Sequence, residues 1–455
     1  MNIISHPDLA AKIALIGECD LIEAFIVDVN GVPRGKWLQR DKAKSLLGRG
    51  IAFPRSAFLL DIWGRDVVEG GIALETGDPD GLCVAVPHSI ARIGWAKGNN
   101  AQMLLTMREP DGGYFYLDPR GVLASVLDRF TAAGLTPVLG VELEFYLADP
   151  GRFGGLRIAP RGADESGWRG WHIDAVGLGE IHDYEPVLRE MMSLACAQDI
   201  ALEALVSESG PGQFEVTLKC APDALRIADS AMLFKRTIKH VARKHGLTAT
   251  FMAKPYGHWA GSGMHMHMSL LDRRGHNIFA GNAAKAAPEL YHALGGVIAA
   301  MPDTMLALAP HANSYRRFAP GMHAPTYTDW GHDNRTAAIR VITADPAASR
   351  LEHRVAGADC NPYLAFAALL GSALYGLESK MDPGPETCGD KRSAQARLLP
   401  TAWSSALERF ADSPQIARIF GHDFRRVFTA CKRQEVGEFR RRIPDVEYDA
   451  YLKNA

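Results

Sequence analysis

The sequence predicts an α+β fold in two unequal parts, a small mainly β region followed by a larger one in which strands and helices alternate. Length is the first reason: 455 residues exceed what one hydrophobic core usually organises, so two domains are expected, over 1–112 and 113–455. Second, from about 22 to 107 short β-branched and aromatic runs such as "VDVNGVPRGKW" and "GDPDGLCVAVP" are punctuated by Gly, Pro and Asp. Third, after "DPRG" at 118–121 the apolar spacing changes to three and four in "VLASVLDRFTAAG", a helix with a Gly stop. The same spacing predicts helices over 184–198, 221–245, 286–308, 361–379, 401–411 and 422–440.

Composition narrows the function classes. With 47% hydrophobic and 22% charged residues and a net charge of −2, the chain is not disordered. It carries no bulk signal for nucleic acid or an anionic membrane. The most apolar stretch, "YLAFAALLGSALYGL" (363–377), is too short to span a bilayer and contains Gly and Ser, so a helix buried in protein is expected. The N-terminus lacks a basic segment followed by an apolar core, and no signal peptide is read there. Seven scattered cysteines, odd in number and without a CxxC pair, read as reduced thiols of a cytoplasmic protein.

Chemistry is concentrated on four segments with period-two alternation. In "VELEFYL" (141–147), Val141, Leu143, Phe145 and Leu147 form one face, while Glu142, Glu144 and Tyr146 form the other. In "GQFEVTL" (212–218), Phe214, Val216 and Leu218 oppose Gln213, Glu215 and Thr217. In "GMHMHMSL" (263–270), methionines and Leu270 oppose His265, His267 and Ser269; in "LEHRV" (351–355), Leu351, His353 and Val355 oppose Glu352 and Arg354. Solvated faces favour Lys, Thr and Ser, whereas these carry the residue types that bind metals and phosphates. Two Glu on one strand face repel unless a cation lies between them. Oxygen-rich sets with an imidazole suit Mg²⁺ or Mn²⁺ better than zinc. Four arginines (Arg316, Arg317, Arg335, Arg340) in "NSYRRFAPGMHAPTYTDWGHDNRTAAIR" (313–340) supply planar forks that match phosphate and carboxylate. The residues alone thus point to a metal-dependent enzyme handling ATP or another phosphate. No GxxxxGK[ST] loop is present, so any nucleotide is held by another architecture.

The ordered motifs "GVELEFYL", "SESGPGQFEV", "KPYGHWAGSGMHMHMSL", "NSYRRFAPG", "DNRTAAIRV" and "RLEHRVAGADCNPYLAFAALLG" resemble the glutamine synthetase family across roughly 22–450. The resemblance implies an N-terminal β-grasp domain and a catalytic domain with a curved antiparallel sheet and surrounding helices. It implies a ring-shaped homo-oligomer, typically a dodecamer, with active sites between subunits. Carried over residue by residue, Glu144, Glu208 and Glu215 would hold one metal, and Glu142, His265 and Glu352 another, with two to three Mg²⁺ or Mn²⁺ per subunit. ATP, the co-substrate, would meet Glu203, His267, Ser269, Arg335 and Arg350. Arg317, Arg335, Arg340 and Arg354 would hold glutamate and the transferring phosphoryl group, and Gly261 would line the glutamate pocket. The implied reaction phosphorylates the γ-carboxylate of L-glutamate and then lets an amine displace phosphate.

The sequence departs from that pattern at the acceptor. Family members that use ammonium place a Glu six residues after the arginine matching Arg317 and an Asp in the β-grasp domain; here His323 and Pro54 or Arg55 stand there. Ala260 and Ala347 also replace polar residues. Loss of both acids implies loss of ammonium selectivity, and "RGKW", "RRFAPG" and "WGHDNRTAA" are similar to the branch that makes γ-glutamyl amides of organic amines. His323, with an ordinary pKa near working pH, is the candidate base for the attacking amine. Asp61 and Asp66 are candidate partners for a polyamine, against the simpler reading of a solvated loop. An ammonia-using glutamine synthetase and a non-catalytic ring-forming relative are the alternatives. The latter predicts eroded metal ligands, whereas all six are present.

Overall fold

Alternating apolar positions build two sheets, and the polar face of the larger one carries Glu142, Glu144, Glu215, His265, His267 and Glu352. The structure, a computed structural model, describes residues 7–72, 75–149, 157–158, 175–281, 286–319, 324–389 and 395–455. The N-terminal region contains α1 (Pro7–Glu18), β1 (Leu21–Val27), β2 (Pro33–Gln39), α2 (Arg40–Arg49), β3 (Ile51–Pro54), β4 (Asp80–Ala85), β5 (Ala91–Arg92) and β6 (Asn100–Arg108). Its sheet runs β2-β1-β6-β4-β3, with β5 on β6; β1 and β2 are an antiparallel hairpin, and β1 lies parallel to β6. The hairpin turn is closed by Asp28, whose carboxylate accepts from the amides of Asn30 and Val32, with Gly31 at φ 73°. The region is less purely β than its sequence predicts. Helix α2 escapes detection because it buries only Ala43 and Leu46, too few apolar contacts to print a helical period.

Helix α3 (Pro119–Ala132) opens the second region at the predicted place, capped by Asp118, whose side chain accepts from the Arg120 amide. The larger sheet comprises β7 (Thr136–Asp149), β8 (Arg157–Ile158), β9 (Leu202–Ser207), β10 (Gln213–Ala221), β11 (Thr248–Thr250), β12 (Met264–Leu271), β13 (Trp330–His332), β14 (Ile339–Ile342) and β15 (Arg350–His353). Its order is β13-β14-β15-β12-β7-β10-β9, with β8 and β11 also pairing β7. Neighbours are antiparallel apart from β13 and β14. The α+β class read from the sequence is the class observed.

The helices are α4 (Leu178–Asp183), α5 (Glu185–Ala197), α6 (Ala224–Lys244), α7 (Pro288–Leu308), α8 (Pro362–Ser379), α9 (Trp403–Asp412), α10 (Pro414–Phe420), α11 (His422–Arg441) and α12 (Asp445–Tyr451). Each helix expected beyond residue 184 is found within a few residues of its predicted ends. The apolar stretch 363–377 is α8, buried along nearly its whole length. Among the described residues no helix is long and apolar enough to cross a membrane. All seven cysteines are free.

A buried polar knot fastens the two regions. Lys432 and Glu435 on α11 are both fully buried and paired at 2.9 Å. Glu435 also accepts from the Asn30 amide group and from the Ile62 backbone, while Asn30 Oδ1 accepts from Lys432. Every charge in the knot is hydrogen-bonded, which is what makes its burial tolerable. Next to it Asp61, read as part of a solvated loop, has a fully buried side chain instead. It accepts from the amides of Trp63 and Arg65, the Arg65 guanidinium and Gln434, so it braces a turn and has no capacity left for an amine.

Helices α7 and α8 cross at glycines. A Cβ on Gly376 would sit 2.2 Å from the His292 carbonyl oxygen and 2.6 Å from the Gly296 nitrogen, with backbone on both sides. Gly376→Ala is therefore expected to destabilise the protein by about 1–3 kcal/mol through overpacking. Gly437→Ala on α11, where a Cβ meets nothing within 4 Å, is expected to be neutral or slightly stabilising. Thermal denaturation of the two variants checks this; equal melting temperatures would contradict it.

Candidate active site

Strand register turns four separate sequence patterns into one patch. Across β10 and β7, Glu215 faces Glu144 and Thr217 faces Glu142; across β12 and β7, His265 faces Glu142. His267 faces Glu352 across β12 and β15, and Glu352 faces Arg340 across β15 and β14. Directly opposed residues share a face. The opposite face holds the apolar partners, and Val141, Leu143, Phe145, Phe214, Met264, Met266 and Met268 are fully buried. His353, on the apolar side of its strand, lies with them at 2% exposure.

The polar groups are close. Glu142 meets His265 Nδ1 at 3.0 Å and His267 Nε2 at 2.9 Å. His265 Nε2 is 3.5 Å from Glu144, and its Nδ1 is 3.9 Å from Glu215. One donor atom each from Glu142, His265 and Glu352 lie within 4.8 Å of one another, and so do donors from Glu144, Glu215 and His265. Glu208, at the end of β9, lines the same cleft but stands outside both groups. Gly263 makes room for this cluster. A Cβ there would be 2.7 Å from Arg317 Nη2 and 3.1 Å from His265 Nε2, while its amide donates to Glu144 at 2.8 Å.

The arginines divide by surroundings. Arg317 is 5% exposed and donates to the Val355 carbonyl at 2.7 Å and the Arg354 carbonyl at 3.3 Å, fixing its guanidinium at the cleft wall. Arg354 also lines the cleft and pairs with Glu352. Arg340 pairs with Glu352 and Asp333, each at 3.1 Å. Arg335 lies exposed on the cleft rim. Arg350 approaches His267 at 3.4 Å, half-buried Ser269 continues the β12 face, and Glu203 is exposed on β9. Arg316 is exposed outside the cleft lining. His323 lies outside the described residues, as do 160–174.

Electrostatics follow from the crowding. Burial, and then the nearby Glu144 and Glu142 charges, push the Glu208 carboxyl up to about 7. Burial, followed by Glu142, Glu144 and Glu208, raises Glu215 well above the carboxylate range. Burial also opposes ionisation of Glu142, yet hydrogen bonds from His265 and His267 hold it low. Glu352 is likewise lowered against its burial, chiefly by Arg354. Two carboxyls whose ionisation is opposed beside two held ionised make a site with room for added positive charge. Carboxylate oxygens with imidazole nitrogen are a donor set that fits Mg²⁺ or Mn²⁺.

The cleft encloses about 1060 Å³. Besides the predicted Gly261, its walls include Val176, Phe318, Tyr327 and Leu398, which the sequence did not single out. They come from distant loops with no shared period, so no local signal marks them. Only Val176 stands out once folded: it is a β-branched residue at φ 64°, a conformation such residues rarely adopt. Ala260 presents its carbonyl to Tyr146 Oη at 2.7 Å. Arg55 is neutralised by Glu109 and stacks 4.9 Å from the Phe115 ring centre.

The chain is similar to known proteins over nearly its whole length. The family model described as glutamine synthetase, catalytic domain, matches residues 116–451. The gamma-glutamylputrescine synthetase PuuA of Escherichia coli (strain K12) is 39% identical over 434 residues, covering 95% of this chain and 92% of the relative. A glutamate–isopropylamine ligase of Pseudomonas sp is 32% identical over 449 residues, covering 95% of each. A solved structure titled GmaS/ADP complex superposes with a TM-score of 0.83 at 28% identity, covering 97% of this chain and 99% of that one. The chain belongs to the glutamine synthetase family of carbon–nitrogen ligases.

Proposed function

We propose that the protein joins the γ-carboxylate of L-glutamate to a small organic amine at the expense of ATP, through γ-glutamyl phosphate. The observation that carries this is the cleft itself, in which buried carboxylates and imidazoles share one sheet face with Arg317 and Arg354 on the wall. The two amine-ligating relatives support an organic acceptor. So does the sequence, where His323 and Pro54 or Arg55 replace the acids an ammonium pocket would need.

In the first step a γ-carboxylate oxygen of glutamate attacks the γ-phosphorus of ATP and ADP leaves. In the second, the neutral amine nitrogen attacks the acyl carbon, the bond to the phosphate oxygen breaks, and one amine proton passes to a base. Arg317, Arg340 and Arg354 hold the glutamate and the phosphoryl group, with Gly261 admitting the substrate against the wall. Glu203, His267, Ser269, Arg335 and Arg350 receive the nucleotide. Rigid guanidinium groups already aimed at a developing anion cost no reorganisation during the reaction. Glu144, Glu208 and Glu215 would hold one divalent cation, and Glu142, His265 and Glu352 another. Bound Mg²⁺ or Mn²⁺ supplies charge neutralisation to phosphate oxygens. The same reading includes the division at 112/113 with a β-grasp N-terminal domain, a cytoplasmic setting consistent with the free thiols, and a ring-shaped homo-oligomer, typically a dodecamer.

Glutamate-dependent phosphate release is expected to rise with putrescine, ethanolamine or a short alkylamine and to stay near background with ammonium. Stimulation by ammonium alone would overturn the acceptor assignment. His323→Ala is expected to slow amide formation by roughly 10²–10⁴-fold, the usual worth of a general base, while acyl phosphate formation, trapped with hydroxylamine, is largely kept. Equal loss in both half-reactions contradicts the base role.

The raised carboxyls give a pH test. Protons held on Glu208 and Glu215 stabilise the cation-free fold fully below the ordinary Glu value of 4.5, and for Glu208 this is lost as pH rises through about 7. In chelator, the melting temperature should therefore fall between about pH 5 and pH 8, and saturating Mg²⁺ should raise it most at the upper end. A profile that Mg²⁺ leaves unchanged contradicts cation binding by these carboxylates.

A further inference from the structure

A second cavity, of about 750 Å³, lies between the β1–β2 hairpin and the elements α6 and β11. It is separated from the carboxylate cleft by the segment 354–361, which presents Arg354 to the cleft and Asp359 to this cavity. None of the catalytic, nucleotide or cation residues above lines it.

Its charge is out of balance. Lys235, only 8% exposed, donates to the carbonyls of Ala358 at 2.7 Å and Cys360 at 3.2 Å. An ammonium has three donors, so one remains without a partner among the described residues. One helical turn on, Lys239 reaches the same space. Both ammonium groups lie over a single ring, 5.1 and 5.7 Å from the Phe251 centre. Among the described residues neither has a carboxylate within ion-pair distance. Glu23 is taken by Arg236, and Asp359 Oδ2 accepts from Ser314. Burial lowers Lys235 to about 8, with Lys239 adding to it against the opposing influence of Cys360 and Asp359. Buried Lys235 is incompletely compensated, because cation–π contact is worth less than a buried counter-ion, and the exposed Lys239 adds a second positive charge at the mouth of the same space.

We propose that this cavity binds a small organic anion, held between Lys235 and Lys239. The remaining lining defines the ligand further. Phe25, Trp37, Phe251 and Met252 offer apolar walls for a body attached to the anionic group. Asp359 Oδ1, buried and without a hydrogen-bond partner, suits a ligand that carries an N–H or O–H donor near its charge. A carboxylate and a phosphate monoester share this chemistry.

The test uses 1-anilinonaphthalene-8-sulfonate, which combines an anion, an N–H donor and an apolar body, titrated by fluorescence into the full chain with Mg²⁺ and saturating ADP. The dye is expected to bind with ADP present. Lys239→Met, an exposed position whose replacement leaves the core intact, should weaken it roughly tenfold, and Lys239→Arg should stay within about twofold. Displacement by 4-hydroxybenzoate marks the ligand as a carboxylate, and displacement by phenyl phosphate marks it as a phosphate ester; either supports the site. Unchanged affinity in Lys239→Met, loss of the signal on adding ADP, or displacement by neither competitor overturns it. None of these readouts depends on ligase activity.

Discussion

Like charges confined to one sheet face are the constraint around which this protein is organised. Glu142, Glu144, Glu215 and Glu352 project from adjacent strands, with Glu208 beside them, in a cleft shielded enough to raise two of the five. Such a cluster persists only if its surroundings compensate it. Imidazoles of His265 and His267 sit against Glu142, guanidinium groups of Arg340 and Arg354 against Glu352, and the Gly263 amide against Glu144. The side of the cluster formed by Glu144, Glu208 and Glu215 has less compensation of this kind. An added cation relieves the most repulsion there.

The scaffold explains how such crowding is held. Methionine, leucine and phenylalanine side chains on the opposite face anchor β7, β10 and β12 into one core, so each acid is fixed by the register of its strand. A one-residue slip would invert both faces of a strand at once. Burial of the apolar face therefore maintains the unfavourable proximity of the polar one, and the geometry of the acid cluster is underwritten by packing behind the sheet. Gly263 and the glycine crossing of α7 and α8 serve the same end by admitting backbone where side chains would not fit.

The alternation of "VELEFYL" and "GMHMHMSL" marks the two faces of β7 and β12 in the sequence alone, because period two is a local property. Pairing is not local. That Glu215 faces Glu144, or that Glu352 faces both His267 and Arg340, depends on strand order set by long-range packing. Helices with a broad apolar stripe or a clear cap, such as α8 behind Asn361, are readable, whereas α2 with two buried side chains is not. The cleft walls from Val176, Tyr327 and Leu398, and the second cavity over Phe251, exist only after folding brings distant loops together. The proposed acceptor side rests on the sequence alone, on His323 standing where the resemblance leads one to expect an acid.

The central claim is that carboxylate activation passes through an acyl phosphate and that the amine enters afterwards. Glutamate carrying ¹⁸O in its γ-carboxylate, incubated with ATP, Mg²⁺ and an accepted amine, tests it most directly by mass spectrometry of the released phosphate. Transfer of one ¹⁸O to phosphate for each amide formed is the predicted result, since the oxygen that attacks phosphorus leaves with it. Phosphate free of ¹⁸O, with the amide still formed, would contradict the account.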